Sequence, residues 1–133
     1  DGFFKTNDIF KVDQNGFYYF VGRKDDMIVC GGENVFLSEI DQILSKHESI
    51  EFSITIGIED EIKFFKPYSF IVLKKGVESD EILSEVNQFV SKYLPRYACP
   101  RKIWSLEQVP LTILGKVNHQ YLKELARQKL NIP

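Results

Sequence analysis

The segment from Phe52 to Leu94 changes its apolar period along its length, and that change limits the available folds more than any other feature of the chain. Phe52-Ser53-Ile54-Thr55-Ile56-Gly57-Ile58 alternates with period two, as a strand does when one face is covered. Tyr68 to Leu73 is a denser apolar run of strand length. Ile82, Leu83, Val86, Phe89, Val90, Tyr93 and Leu94 then keep helical spacing, with Ser79 as the expected cap and Pro95 as the stop. Strands and helices mix without a βαβα repeat. The predicted class is therefore α+β, a small central sheet of about three strands with helices packed on it.

The flanks fit that frame. Ile9 to Val12 and Phe17 to Val21 surround Asp13-Gln14-Asn15-Gly16, and an Asn-Gly between apolar runs signals a hairpin because both residues tolerate positive φ. Gly22-Arg23-Lys24-Asp25-Asp26 is polar, charged and without an apolar period, so it reads as a linker or hinge and as the expected domain boundary. Met27 to Val29 and Asn34 to Phe36 are short extended candidates around Gly31-Gly32. Ser38 is expected to cap a helix, with Asp41 completing a capping box and Ile40, Ile43 and Leu44 as the apolar stripe. Ile103 to Leu106 reads as a further strand and Pro110 to Lys116 as a loop. A last helix is expected from near Asn118, with Tyr121, Leu122, Leu125 and Ala126 on one face.

Composition narrows the function. A chain of 133 residues with 44% hydrophobic residues has enough apolar material for one ordinary core. Its net charge of -2 leaves no surplus cation to neutralise many phosphates, which argues against duplex nucleic acid but not against a single nucleotide. Cys30 and Cys99 form no disulfide framework, and the two histidines, His47 and His119, show no metal-ligand spacing; a reducing cytoplasm is expected. No apolar run of about 18 residues is present to span a membrane, and Asp1-Gly2-Phe3-Phe4-Lys5 does not read as a signal peptide. The only methionine is Met27, so a piece of a longer protein is expected.

Two loops carry basic residues beside glycines, Gly22-Arg23-Lys24 and Gly115-Lys116, and such loops offer amides and positive charge to an anion. Alone, either also fits an ordinary surface turn. Their surroundings add more. Thr6-Asn7-Asp8, Gly22 to Ile28, Gly31-Gly32-Glu33-Asn34-Val35, Glu39-Ile40 and Pro110 to Val117, taken in that order, resemble the closing section of the adenylate-forming superfamily. That group includes acyl-CoA synthetases, luciferases and the adenylation domains of nonribosomal peptide synthetases.

The resemblance implies a two-step reaction, in which a carboxylate attacks the α-phosphate of ATP to give an acyl-adenylate and a thiol then takes the acyl group. It implies that residues 1–24 are the tail of a large N-terminal domain and residues 25–133 a C-terminal lid that swings between the steps. Lys116 resembles the adenylation lysine, Asp8 and Arg23 the nucleotide contacts, and Asp25 the hinge. Where the family usually has glycine, Asn7 stands beside Asp8. Gly31, Gly32 and Glu33 resemble the lining of a pantetheine tunnel. Arg101 and Lys102 resemble a segment near the coenzyme A phosphate, although Ala98-Cys99 replaces the usual basic residue before Pro100. The implied substrates are ATP with Mg2+, a carboxylic acid and coenzyme A. The acceptor could equally be the phosphopantetheine of a carrier protein, and a stand-alone binding module without catalysis stays open as a different class.

Overall fold

The computed structural model describes residues 8–60 and 64–132. Strands β1 (Asp8–Val12) and β2 (Tyr18–Arg23) form an antiparallel hairpin. Its turn differs from the expected one: among its non-glycine residues none has positive φ, and only Gly16 is left-handed, at φ 84°. Asp13 organises the loop instead. Its Oδ1 accepts from the amides of Asn15 and Phe17, both at 2.9 Å, so an aspartate side chain does the work expected of the Asn-Gly pair.

The linker is shorter than the sequence suggests. Pairing of Asp8 with Arg23 carries β2 through most of the polar stretch, leaving one 3-10 turn, Lys24–Asp26. Strands β3 (Met27–Cys30) and β4 (Glu33–Phe36) follow as a second hairpin. Here both central residues, Gly31 and Gly32, have positive φ, 57° and 84°, the combination a two-residue primed turn demands. Helix α1 (Leu37–Leu44) starts one residue before the expected cap and buries Ile40 and Leu44 completely. The predicted capping box is absent. Asp26, twelve residues upstream, accepts from the Ser38 amide at 3.1 Å with each oxygen and from the Ser38 hydroxyl, while Asp41 points inward.

The main sheet has the order β5-β6-β7, with β5 (Ile50–Glu59) antiparallel to β6 (Phe65–Leu73) and β7 (Ile103–Leu106) parallel to it. Parallel neighbours need a crossover, and helix α2 (Ser79–Tyr93) supplies it. No side chain caps α2, so Ser79 is its first residue and not its cap. At the other end Leu94 is extended, as a residue before proline must be. Helix α3 (His119–Leu130) is capped by the Asn118 side chain, which accepts from the Tyr121 amide at 3.0 Å.

Alternation along the strands splits the core in two. One side packs Ile71, Ile50 and Ile103 with Ile40 and Leu44 of α1 and with Val86 and Val90 of α2. The other packs Ile56, Ile58, Tyr68 and Phe70 with Leu122 and Ala126 of α3. Small and hydroxylic residues on β5 meet α1. Thr55 Oγ1 lies 2.7 Å from both Asp41 Oδ1 and the buried Ser69 hydroxyl, and the Ser53 hydroxyl donates to the Asp41 carbonyl at 3.2 Å. Burial raises the Asp41 carboxyl to about 7, and the charge of Asp26 adds to this; hydrogen bonds from Thr55 pull the other way.

Two expectations follow from this packing. A β-carbon added to Gly57 would lie 2.6 Å from Ile28 Cγ2, a stiff branch methyl with little freedom to retreat. Gly57→Ala should therefore cost about 1–3 kcal/mol, read as a lower urea midpoint at unchanged m. For Asp41, the folded state keeps a proton that an unfolded aspartate, with a pKa of about 3.9, releases. Stability should thus fall as pH rises from about 4 to 7. Asp41→Asn, which keeps an oxygen toward Thr55, should flatten that slope and be more stable than the parent at pH 8 by about 1–3 kcal/mol. An unchanged slope in the variant would show that another group carries it.

Candidate functional site

The loop before α3 is short and closed by its own hydrogen bonds. Thr112 donates its amide to the Lys116 carbonyl at 2.7 Å, Gly115 donates to the Thr112 carbonyl at 2.9 Å, and Leu111 bridges to Val117. The Thr112 hydroxyl accepts from the Lys116 amide at 3.3 Å. Gly115 takes φ 82°, a conformation a side chain would resist, so the chain can reverse and return into Lys116. The fixed backbone places three groups outward: the Lys116 side chain is exposed, and Ile113 and Leu114 are 105% and 84% exposed. A cation thus stands directly behind an uncovered aliphatic tip.

The other sequence candidates fall on successive turns and hairpins. Asp8 and Arg23, fifteen positions apart, are partners in the β1–β2 register at the end away from the loop. Their side chains, and Thr6 and Asn7, lie outside the described residues. Asp25 is the exposed middle residue of the 3-10 turn that joins this hairpin to the next. Gly31 and Gly32 form the exposed turn of the second hairpin, and Glu33 follows them, also exposed. A β-carbon at either glycine would meet nothing within 4 Å, so their absent side chains serve φ and not close packing within this domain.

Arg101 and Lys102 precede β7 and are both exposed. Part of Arg101 is occupied locally: Nη1 donates to the Cys99 carbonyl at 2.7 Å and to the Arg96 carbonyl at 3.3 Å, closing the 3-10 turn Arg96–Ala98. Both backbones also tie to β6, through the Arg101 amide to the Pro67 carbonyl and the Ser69 amide to the Lys102 carbonyl. On β7, just after Lys102, Trp104 stacks on Tyr68 at 5.6 Å between centroids, with Lys129 over its ring. His47 is buried, accepts from the Ser49 amide at 3.1 Å and lies 3.4 Å from a Glu85 oxygen. Burial raises both thiols, and Cys30 donates to the Phe65 carbonyl at 3.0 Å, so neither is poised as a thiolate nucleophile.

Three residues that the sequence reading gave only local structural roles meet here. Asp26, Ser38 and Asp41 line an open cleft of about 1400 Å³, together with Asp25, His119 and Lys123. A signal for Asp41 did exist: Ser53 and Thr55 occupy inward positions of a period-two strand, and buried hydroxyls need an acceptor. For the Asp26–Ser38 contact nothing local pointed to it. Among the described residues no cluster of His, Cys, Asp or Glu could hold a metal ion, and no helix is long and apolar enough to cross a membrane.

The chain is similar to known proteins along most of its length. The chain is 34% identical over 124 residues to the 2-succinylbenzoate–CoA ligase of Geobacillus sp. (strain WCH70), covering 93% of this chain and 25% of that protein. It is 32% identical, again over 124 residues, to the long-chain-fatty-acid–CoA ligase of Bacillus subtilis (strain 168), covering 93% of this chain and 22% of the relative. The structure superposes on an anthranilate CoA ligase, AuaEII, in complex with anthranoyl-AMP, with a TM-score of 0.74 and 29% identity over 96% of this chain and 25% of that one. The chain thus spans about a quarter of the length of the relatives it matches. A family model described as the AMP-binding enzyme C-terminal domain matches residues 39–116, from the first turn of α1 to the exposed lysine. With more than half of its length matched and the α+β fold shared, the chain belongs to the AMP-binding enzyme C-terminal domain family, as the resemblance to adenylate-forming enzymes implied.

Proposed function

We propose that residues 25–133 are the lid of an ATP-dependent acid:CoA ligase and that residues 1–24 end its large domain. In this reading Lys116 is the catalytic residue for adenylation. The observation that carries it is the exposed ammonium, held on a hydrogen-bonded loop behind the uncovered Ile113 and Leu114. A loop of this kind is suited to enter another domain, where the aliphatic tip would be covered and the cation would meet two anions, the acid carboxylate and the α-phosphate. Their mutual repulsion opposes reaction. A unit charge about 4 Å away contributes roughly 4 kcal/mol at an effective dielectric near 20.

In the same proposal, Asp8 accepts hydrogen bonds from the ribose hydroxyls and Arg23 contacts the nucleotide; their pairing across one hairpin supports a shared ligand. Asp25 is the hinge. The exposed turn of Gly31, Gly32 and Glu33 lines the passage for the thiol of coenzyme A, and Arg101 with Lys102 meets its phosphate. Mg2+ accompanying ATP would be held by the large domain, since the described residues supply cations and no metal cluster. The two free cysteines fit a reducing, cytoplasmic setting. The acid itself is selected elsewhere: the relatives are named for acids as different as 2-succinylbenzoate and long-chain fatty acids.

In the full-length ligase, Lys116→Ala should slow adenylation by about 10² to 10³-fold, the scale for losing one preorganised electrostatic group. Thioester formation from a preformed adenylate should suffer far less. Equal losses in both half-reactions would remove the adenylation-specific role. Supplied with ATP, a panel of carboxylic acids and coenzyme A, the same enzyme should form a thioester. Transfer to a carrier protein and never to coenzyme A would reassign the acceptor. The 133-residue chain alone should release no pyrophosphate, because the acid pocket is not among its residues.

A further inference from the structure

The turn proposed as the hinge is bounded on both sides by hydrogen bonds, and the two boundaries leave very little chain between them. On the N-terminal side the β1–β2 ladder runs to the Asp8–Arg23 pair. On the C-terminal side Asp26 is held by Ser38, whose amide donates to both carboxylate oxygens at 3.1 Å and whose hydroxyl donates to one of them. Met27 is then paired with Phe36, the last residue before α1. Asp26 and Ser38 therefore close the root of the β3–β4 hairpin, at the end opposite Gly31 and Gly32. The contact also anchors α1, which has no side-chain cap of its own.

We propose that Asp26 is a positioning residue that confines lid rotation to the bonds ahead of its own Cα, in Lys24, Asp25 and the Asp26 N–Cα bond, by fastening the first residue after the pivot to the first turn of α1. The proposal rests on the reading of Asp25 as a hinge and deepens it. A rotation about the Cα–C bond of Asp26 would part its carboxylate, which lies before that bond, from Ser38, which lies after it, and would leave the start of α1 without an acceptor. A rotation at Asp25 leaves every one of these bonds intact. The lid then turns as one body, and the loop bearing Lys116 and the hairpin bearing Gly31 keep fixed positions relative to the axis. Partly buried Asp26 pays no entropy for this constraint at each turnover, since it is already in place.

The test uses the full-length ligase with one spin label on α3 and one on the large domain. The parent should show two narrow distance populations, selected by the acid with ATP or by the adenylate with coenzyme A. Asp26→Ala and Ser38→Ala should each broaden both populations about twofold and slow both half-reactions about tenfold, well below the melting temperature. Asp26→Asn, which keeps an acceptor oxygen for the Ser38 amide, should recover most of the loss. Ser38→Ala removes the hydroxyl but leaves the carboxylate, so it keeps the test open should Asp26→Ala fail to fold. Populations as narrow as the parent's in the variants, or a uniform fall in thermal stability with unaltered populations, would overturn the proposal. A parent with a single orientation under every ligand would overturn the hinge and this inference together. Failure of the proposed chemistry has a separate signature, a missing adenylate or thioester in the parent, and the distances still read the clasp.

Discussion

Strand β6 is covered on both faces and paired along both edges, and the rest of the lid is arranged around that constraint. A strand so enclosed cannot alternate apolar with polar; it must be apolar nearly throughout, as Tyr68 to Leu73 is, with Ser69 as the buried exception. Ser69 is satisfied by Thr55, and Thr55 by Asp41, so one hydroxyl in the middle of the sheet fixes the helix lying on it. The antiparallel edge partner, β5, could follow through a short connection. The parallel partner, β7, could not, and α2 exists to make that return.

What could be read from the sequence was what depends on near neighbours. The period-two strand at Phe52 to Ile58, the stripe from Ile82 to Val90 and the last helix beginning near Asn118 all express local rules, and each element stands where those rules put it. Helix starts were misplaced for one reason. Ser38 and Ser79 look like caps, but a cap stands ahead of the first turn; Ser38 is the second residue of α1 and Ser79 the first of α2, so neither oxygen faces the free amides. Asp13 shows the same limit at smaller scale. It captured a turn that the neighbouring Asn-Gly seemed to own.

The candidate site was legible in a different way. Lys116, Asp25 and Gly31 were named through ordered motifs and Arg101 and Lys102 through a separate resembling segment, and their common property in the structure is exposure. Residues that finish their interactions inside a domain leave traces in periodicity; residues that face another domain leave none, because nothing in their own fold dictates them. Arg101 has part of its interactions inside the domain, with one guanidinium nitrogen committed to carbonyls of its own turn. Asp26 belonged to neither until the coordinates placed it beside Ser38, since a contact over twelve positions has no periodic signature.

The stacking of Trp104 on Tyr68 has a practical side. It is the chain's only indole, and it sits on the sheet face covered by α3, with Phe70 at 5.1 Å and the Lys129 ammonium above it. Its fluorescence therefore reports on one interface alone. Release of α3 would wet the ring and shift its emission, whereas loosening of α1 or α2 on the opposite face would pass almost unseen. The protein thus carries a native optical probe that separates the two halves of its core without any label.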